Sequence, residues 1–243
     1  MRIQLLSDLH FEFHHDQGTS FVEWLDPTGV DVLVLAGDVA VAGDIPRALR
    51  LLCRRYARSR VLYVHGNHEY YGATFQQVVD LTREALSENT NLHWLDSEVV
   101  EIDGLRFLGT TLWFRPDPET LAWRRLLNDF ERILDFDTWL ERENQRALDF
   151  LHAELRAGDV VISHHLPTQN AVAPDFRDGP LGPFFVCDVE RLIIEREPRL
   201  WVFGHSHRSY DSHLGPTWLV SNPFGYATFE ENRQFDWTCV IDV

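Results

Sequence analysis

Short apolar runs recur along the chain, and each of five ends abruptly on polar residues. Ile3–Leu6 leads to Asp8 and His10, Val32–Ala36 to Gly37-Asp38, and Val61–Val64 to His65-Gly66-Asn67-His68-Glu69. Later, Val160–Ser163 is followed by His164-His165, and Leu200–Phe203 by Gly204-His205-Ser206-His207. Runs that are apolar at successive positions, rather than alternate ones, predict strands buried on both faces. In open α/β sheets, sites form beyond the carboxyl ends of the strands. Five such ends side by side would gather one polar cluster.

The segments between these runs predict an α/β order. Gly43 and Pro46 bracket a helix start, with Asp44 as N-cap, and the helix runs to about Arg58. Thr74–Glu88 places Phe75, Val78, Val79, Leu81 and Leu86 at helical spacing. Strands alternating with helices imply parallel pairing through right-handed crossovers. Residues 11–29 read as an irregular loop. Leu92–Leu95, Val99–Ile102 and Leu105–Leu108 read as three strands of a second sheet, with Asp103-Gly104 as a hairpin turn. Residues 118–157 read as an amphipathic helical pair rich in Arg and Trp, part of a cap-like insertion at about 111–157. Strands return at 159–163, 199–203, 217–221 and 237–242, and the Pro/Gly-rich stretch 166–185 reads as a long functional loop. No repeat or linker interrupts the pattern, so residues 1–243 are expected to form one domain.

Composition narrows the function. Lys plus Arg number 22 against 38 Asp plus Glu, a formal charge of −16. This argues against a duplex nucleic-acid binder working through a basic surface. Anionic substrates remain open, because bound cations add charge that the count omits. Cys53, Cys187 and Cys239 are widely spaced, so no disulfide framework is expected and a reducing cytoplasm fits. Met1-Arg2 leads straight into the first strand, without the pattern of a signal peptide, and no apolar stretch reaches the ~18 residues of a membrane span.

The residue types at the strand ends are those of a metal centre. Asp8 and His10 stand two apart, as do His205 and His207; in extended chain such pairs point the same way. Asp38, Asn67 and His164 add one ligand each. Two carboxylates, one amide oxygen and four imidazoles suit Mn, Fe, Co or Zn, and are too rich in nitrogen for Ca or Mg alone. Seven ligands exceed the needs of one metal and fit two, about 3.5–4 Å apart, with a carboxylate spanning both.

With Asp8-Leu9-His10, Gly37-Asp38, Gly66-Asn67-His68-Glu69, His164 after an apolar strand, and Gly204-His205-Ser206-His207, the chain resembles the calcineurin-like metallophosphoesterases from residue 3 to about 226. The resemblance implies a four-layer αββα sandwich of two mixed sheets flanked by helices. It assigns Asp8, His10 and His207 to one transition-metal ion, Asn67, His164 and His205 to a second, and Asp38 as the bridge. It implies attack on phosphorus by a hydroxide shared between the metals, with His68 protonating the leaving oxygen. The family's protein Ser/Thr phosphatases continue the second motif with Asp-Arg-Gly, where this chain has Val41-Ala42-Gly43. The carboxylate that would orient His68 and the arginine that would clamp phosphate are therefore expected to be missing. That disfavours phosphoprotein substrates and favours phosphodiesters or small phosphomonoesters. The alternatives are a nuclease, in which nucleic acid enters only as substrate, and a non-catalytic interaction module. Filled ligand positions count against the second.

Further substrate contacts are expected from His165, Arg115, Asn128, Asn222 and Tyr226, with Asn67 contributing beside its ligand role. Arg124 and Arg125 are candidates to meet phosphate if the helical pair forms a cap. Glu69 reads as a turn carboxylate and His65 as a structural residue.

Overall fold

The computed structural model describes residues 1–243. Its strands are β1 (Arg2–Leu6), β2 (Val32–Ala36), β3 (Arg60–Val64), β4 (Leu92–Trp94), β5 (Glu98–Ile102), β6 (Leu105–Thr110), β7 (Val160–Ser163), β8 (Leu200–Val202), β9 (Tyr210–Leu214), β10 (Thr217–Ser221), β11 (Gly225–Tyr226), β12 (Glu230–Glu231) and β13 (Val240–Asp242). They form a five-stranded sheet ordered β13-β1-β2-β3-β4 and a six-stranded sheet ordered β5-β6-β7-β8-β10-β9, with β11 and β12 pairing separately. Both large sheets are mixed. β1 through β4 run parallel while β13 is antiparallel to β1; β6, β7, β8 and β10 run parallel while β5 and β9 are antiparallel at the edges.

The two-residue period of the strands builds the layers. Val32 and Val34 point into a core shared with Val160, Ile162 and Val202 of the other sheet. Leu33 and Leu35 point outward, onto Ala48, Leu49 and Leu52 of the Ile45–Arg55 helix and Val78 of the Phe75–Glu88 helix. On the far side, Val161, Trp201 and Phe203 pack with Ala147 and Leu151 of the Phe136–Glu154 helix and with Leu192 and Ile193 of the Glu190–Arg196 helix. The result is helix, sheet, sheet, helix, as the resemblance implied. Burying each Val or Leu in these layers is worth about 1.5–3 kcal/mol. No helix is long and apolar enough to cross a membrane.

Several local expectations need correcting. β4 joins the first sheet beside β3, so only β5 and β6 of the three short strands belong to the second. Asp103 and Gly104 do turn the β5–β6 hairpin, both at positive φ (50° and 82°). Residues 118–132 are not a long helix but single turns at Pro118–Leu121, Arg124–Leu126 and Asp129–Arg132; the continuous helix begins at Phe136. The Thr19–Trp24 helix lies inside a stretch expected to be irregular, and single helical turns at Pro174–Arg177 and Gly182–Phe185 lie inside the expected long loop. Asp44 occupies the N-cap position of its helix without a side-chain bond, whereas Thr74 and Gln77 form a full capping box on theirs.

Candidate metal centre

All seven expected ligands follow the carboxyl ends of interior strands of the two large sheets. Asp8, Asp38 and Asn67 follow β1, β2 and β3; His164 and His205 follow β7 and β8. The spacing of the His and Asp pairs has a different origin from the one the sequence implied. Asp8, His10, Asp38, His205 and His207 all have positive φ, between 47° and 71°. Left-handed turns, not extended chain, bring the ligands round. Such conformations cost about 1–3 kcal/mol each outside glycine and persist only where the surroundings over-determine them.

The motif glycines make room. A Cβ on Gly66 would press on Asp38 and stand 2.6 Å from His164 Cε1, and one on Gly204 would stand 2.6 Å from Asp8 Oδ2. Glu69 locks two of the loops together: its carboxylate accepts from the backbone N–H of Asp38 (3.0 Å), Val39 (2.7 Å) and Gly66 (2.7 Å), fully buried. Substituting Glu69→Ala would orphan three buried donors at about 1–3 kcal/mol each. The variant is expected to lose about 3 kcal/mol or more in urea unfolding; a loss under about 1 kcal/mol would refute this clamp. His65, bonded to Tyr70 and Thr82, is a satisfied structural residue.

The ligand atoms fall into two groups that share Asp38. Asp8, His10, Asp38 and His207 form one; Asp38, His164 and His205 form the other. Asn67 joins the second group, with Oδ1 3.0 Å from His164 Nε2. Neighbouring donors stand 3.0 Å apart (His10 and His207 Nε2), 3.2 Å (His164 Nε2 and His205 Nδ1), 3.5 Å (His164 Nε2 and Asp38) and 3.6 Å (His10 Nε2 and Asp38). Ligands about 2.1 Å from one cation stand roughly 3.0 Å apart in octahedral and 3.4 Å apart in tetrahedral geometry. The donors present therefore fit two transition-metal ions.

Hydrogen bonds from behind aim the donors. His164 Nδ1 donates to the Ala36 carbonyl (2.9 Å), which leaves Nε2 facing the site. Asn67 Nδ2 donates to Asp129 (2.9 Å), which turns Oδ1 inward. Electrostatics agree. Burial holds His10, His205 and His207 below the usual histidine range, as neutral ligands. Burial raises the Asp8 carboxyl to about 7. Burial also opposes charge on His164, but Asp38 and Asp8 beside it push it to about 10. Such a cluster of buried carboxylates calls for positive charge.

His68 sits at the edge of this cluster, stacked on Tyr71 with ring centroids 4.1 Å apart. Its Nδ1 lies 2.9 Å from Glu12 Oε1, and its Nε2 faces Tyr226 OH at 3.3 Å. Glu12 corrects the expectation of a missing carboxylate. The orienting group comes from the loop after β1 instead of the second motif, and it also reaches His10 Nδ1 at 3.3 Å. Nothing in the spacing marked Glu12 beyond its place two residues past a ligand. Glu12→Gln, assayed at saturating metal because Glu12 also supports the ligand His10, is expected to lower kcat by about 10–100-fold. An unaltered kcat would show that His68 does not depend on this partner.

Of the proposed substrate contacts, Asn67, Asn128 and Tyr226 line a cleft of about 210 Å³ over the ligands, together with His68 and Asp129. The others lie elsewhere. Arg115 borders a separate hollow with Asp117 and Cys187. Asn222 spends its side chain on Leu5 and Asp236 backbone, tying β1 to the C-terminal segment. His165 is buried behind His205, its ring 4.3 Å away and packed on Trp113. Arg124 pairs with Asp137 on the surface. Asn128-Asp129-Phe130 is a candidate rim segment from sequence, and Asp129 does line the cleft; its bond to Asn67 is a contact that only the fold reveals.

The family model for calcineurin-like phosphoesterases matches residues 1–209. The chain belongs to the calcineurin-like phosphoesterase family. This phosphoesterase is 24% identical to the uncharacterized protein L509 of Acanthamoeba polyphaga mimivirus, over all of its own length and 97% of the relative's. Among solved structures it is similar to phosphopantetheinyl hydrolase from Mycobacterium tuberculosis (TM-score 0.75, 19% identity, 99% of this chain and 95% of that one). It is also similar to TT1561 of Thermus thermophilus (TM-score 0.59, 14% identity, 91% and 88%). At these identities the structures speak for the phosphoesterase fold alone.

Proposed function

We propose that this phosphoesterase hydrolyses phosphodiesters or small phosphomonoesters at a paired metal centre held by Asp8, His10, Asp38, Asn67, His164, His205 and His207. The observation that carries this reading is the pair of donor groups sharing Asp38, with His68 opening into the same cleft. Two cations bound there supply Lewis-acid stabilisation of phosphoryl charge and a water acidified toward ~7. Asp38 keeps the two donor groups in register. Glu12 and Tyr71 hold the His68 ring so that Nε2 can deliver a proton to the leaving oxygen. Tyr226 OH, near that nitrogen, can bond to the same ester oxygen. The structural likeness to a phosphopantetheinyl hydrolase lends support to a phosphate-ester substrate.

No lysine or arginine lines the cleft, so nothing there would hold the neighbouring phosphates of a nucleic-acid strand. The complete ligand set also argues against a non-catalytic module. Protein reconstituted with Mn, Fe, Co or Zn should hydrolyse bis-p-nitrophenyl phosphate or p-nitrophenyl phosphate. Failure with every metal, across mono- and diesters and cyclic nucleotides, would overturn the enzymatic reading.

A further inference from the structure

The cleft is asymmetric. His68 and Tyr226 stand on the side of His10 and His207: the His10 ring lies 4.3 Å from His68 and 4.6 Å from Tyr226. Much of the remaining lining is apolar, formed by Leu126, Leu127, Phe176, Leu181, Phe184 and Phe185. It adjoins the Asn67–His205 side, where Phe185 packs 5.2 Å from the His205 ring and Asp129, three residues after Leu126, bonds to Asn67. Leu126 and Phe176 keep 52% and 38% of their surface in water. Apolar side chains left exposed beside a polar centre mark a place where a ligand is meant to cover them. The only charged residues lining the cleft beyond the ligands and His68 are the acids Asp129 and Glu230. A second anionic group on the substrate would therefore find repulsion and no partner.

We infer that the substrate is a phosphodiester whose retained arm is uncharged and largely aliphatic, lying along the Leu126–Phe185 wall while the leaving oxygen faces His68. This deepens the proposed phosphoesterase function and rests on it. A diester carries a single negative charge, which the metal centre can meet alone. An aliphatic arm gains from each methylene it buries, up to about fourfold in affinity per group.

The test is a series of alkyl p-nitrophenyl phosphates, from methyl to hexyl, in which the alkyl group is the arm retained. In the metal-loaded wild-type protein kcat/KM should rise at least about tenfold from methyl to hexyl. A terminal carboxylate on the hexyl arm should cancel that gain. In Leu126→Ser and Phe176→Ser, where a part-exposed side chain is replaced, the hexyl-to-methyl ratio should shrink toward one. Calorimetric binding of methyl hexylphosphonate against methyl methylphosphonate gives the same comparison without turnover. Hydrolysis with no chain-length dependence, and equal binding of the two phosphonates, would overturn the inference and leave the hydrolytic reading standing. Tighter binding of the hexyl phosphonate, with no ester hydrolysed, would uphold the inference about the cleft and sink the hydrolytic reading.

Discussion

Asp38→Asn should lower phosphoester hydrolysis by on the order of 10⁴-fold and erase the thermal stabilisation that metals confer. The Asp38 carboxylate lies 3.6 Å from His10 Nε2 and 3.5 Å from His164 Nε2, the only ligand common to both donor groups. An amide there keeps an oxygen to accept the His68 backbone N–H, now bonded at 2.8 Å, so the loop should hold its shape. It cannot supply the negative charge that two cations share. Losing roughly 6 kcal/mol of transition-state stabilisation at 1.36 kcal/mol per tenfold gives the stated magnitude. In the wild type, metal at 100 times its Kd adds about 2.7 kcal/mol per site, which for a chain of this size raises Tm by about 5–10 °C. Elemental analysis and calorimetry with and without Mn would check both halves. A variant that still binds two metals and turns over normally would remove Asp38 from the centre.

His68→Gln should cut kcat by about 10²–10⁴-fold on esters with an alkoxide leaving group, and by under about tenfold on p-nitrophenyl esters. Glutamine can still bond to Glu12 but has no proton to transfer. An alkoxide must be protonated as it departs, whereas p-nitrophenolate leaves without help. Metal content should not change, since His68 lies outside the expected ligand set. Activity that needs a protonated His68 declines as pH rises through its pKa, so the basic limb of the rate profile should vanish in the variant. Equal losses on both leaving groups would instead give His68 a positioning role.

The parts legible from sequence are those encoded locally. The seven donors Asp8, His10, Asp38, Asn67, His164, His205 and His207 each stand within a few residues of the end of one of five apolar runs, which makes them legible from the chain alone. The two-layer core was legible for the same reason, because doubly buried strands read as unbroken apolar runs. Contacts made across the fold were not. Glu12 meets His68 across 56 residues, and Asp129 meets Asn67 across 62. Arg115 looked suited to phosphate by type, yet it borders a separate hollow with Cys187 and not the cleft. Residues 118–132 have helical composition, but the chain restarts at Trp123 and again at Asn128, and the long helix begins only after Asp135.

Neither donor group belongs to one sheet. Asp8 and His10 come from the first and His207 from the second; Asn67 comes from the first, while His164 and His205 come from the second. The bond from His164 to the Ala36 carbonyl already crosses the same seam. Each bound ion would then act as a rivet between the two halves of the sandwich. Chelation would do more than silence chemistry: it would free the halves to slide at the end where the ester is cut, while the apolar seam farther down kept them joined.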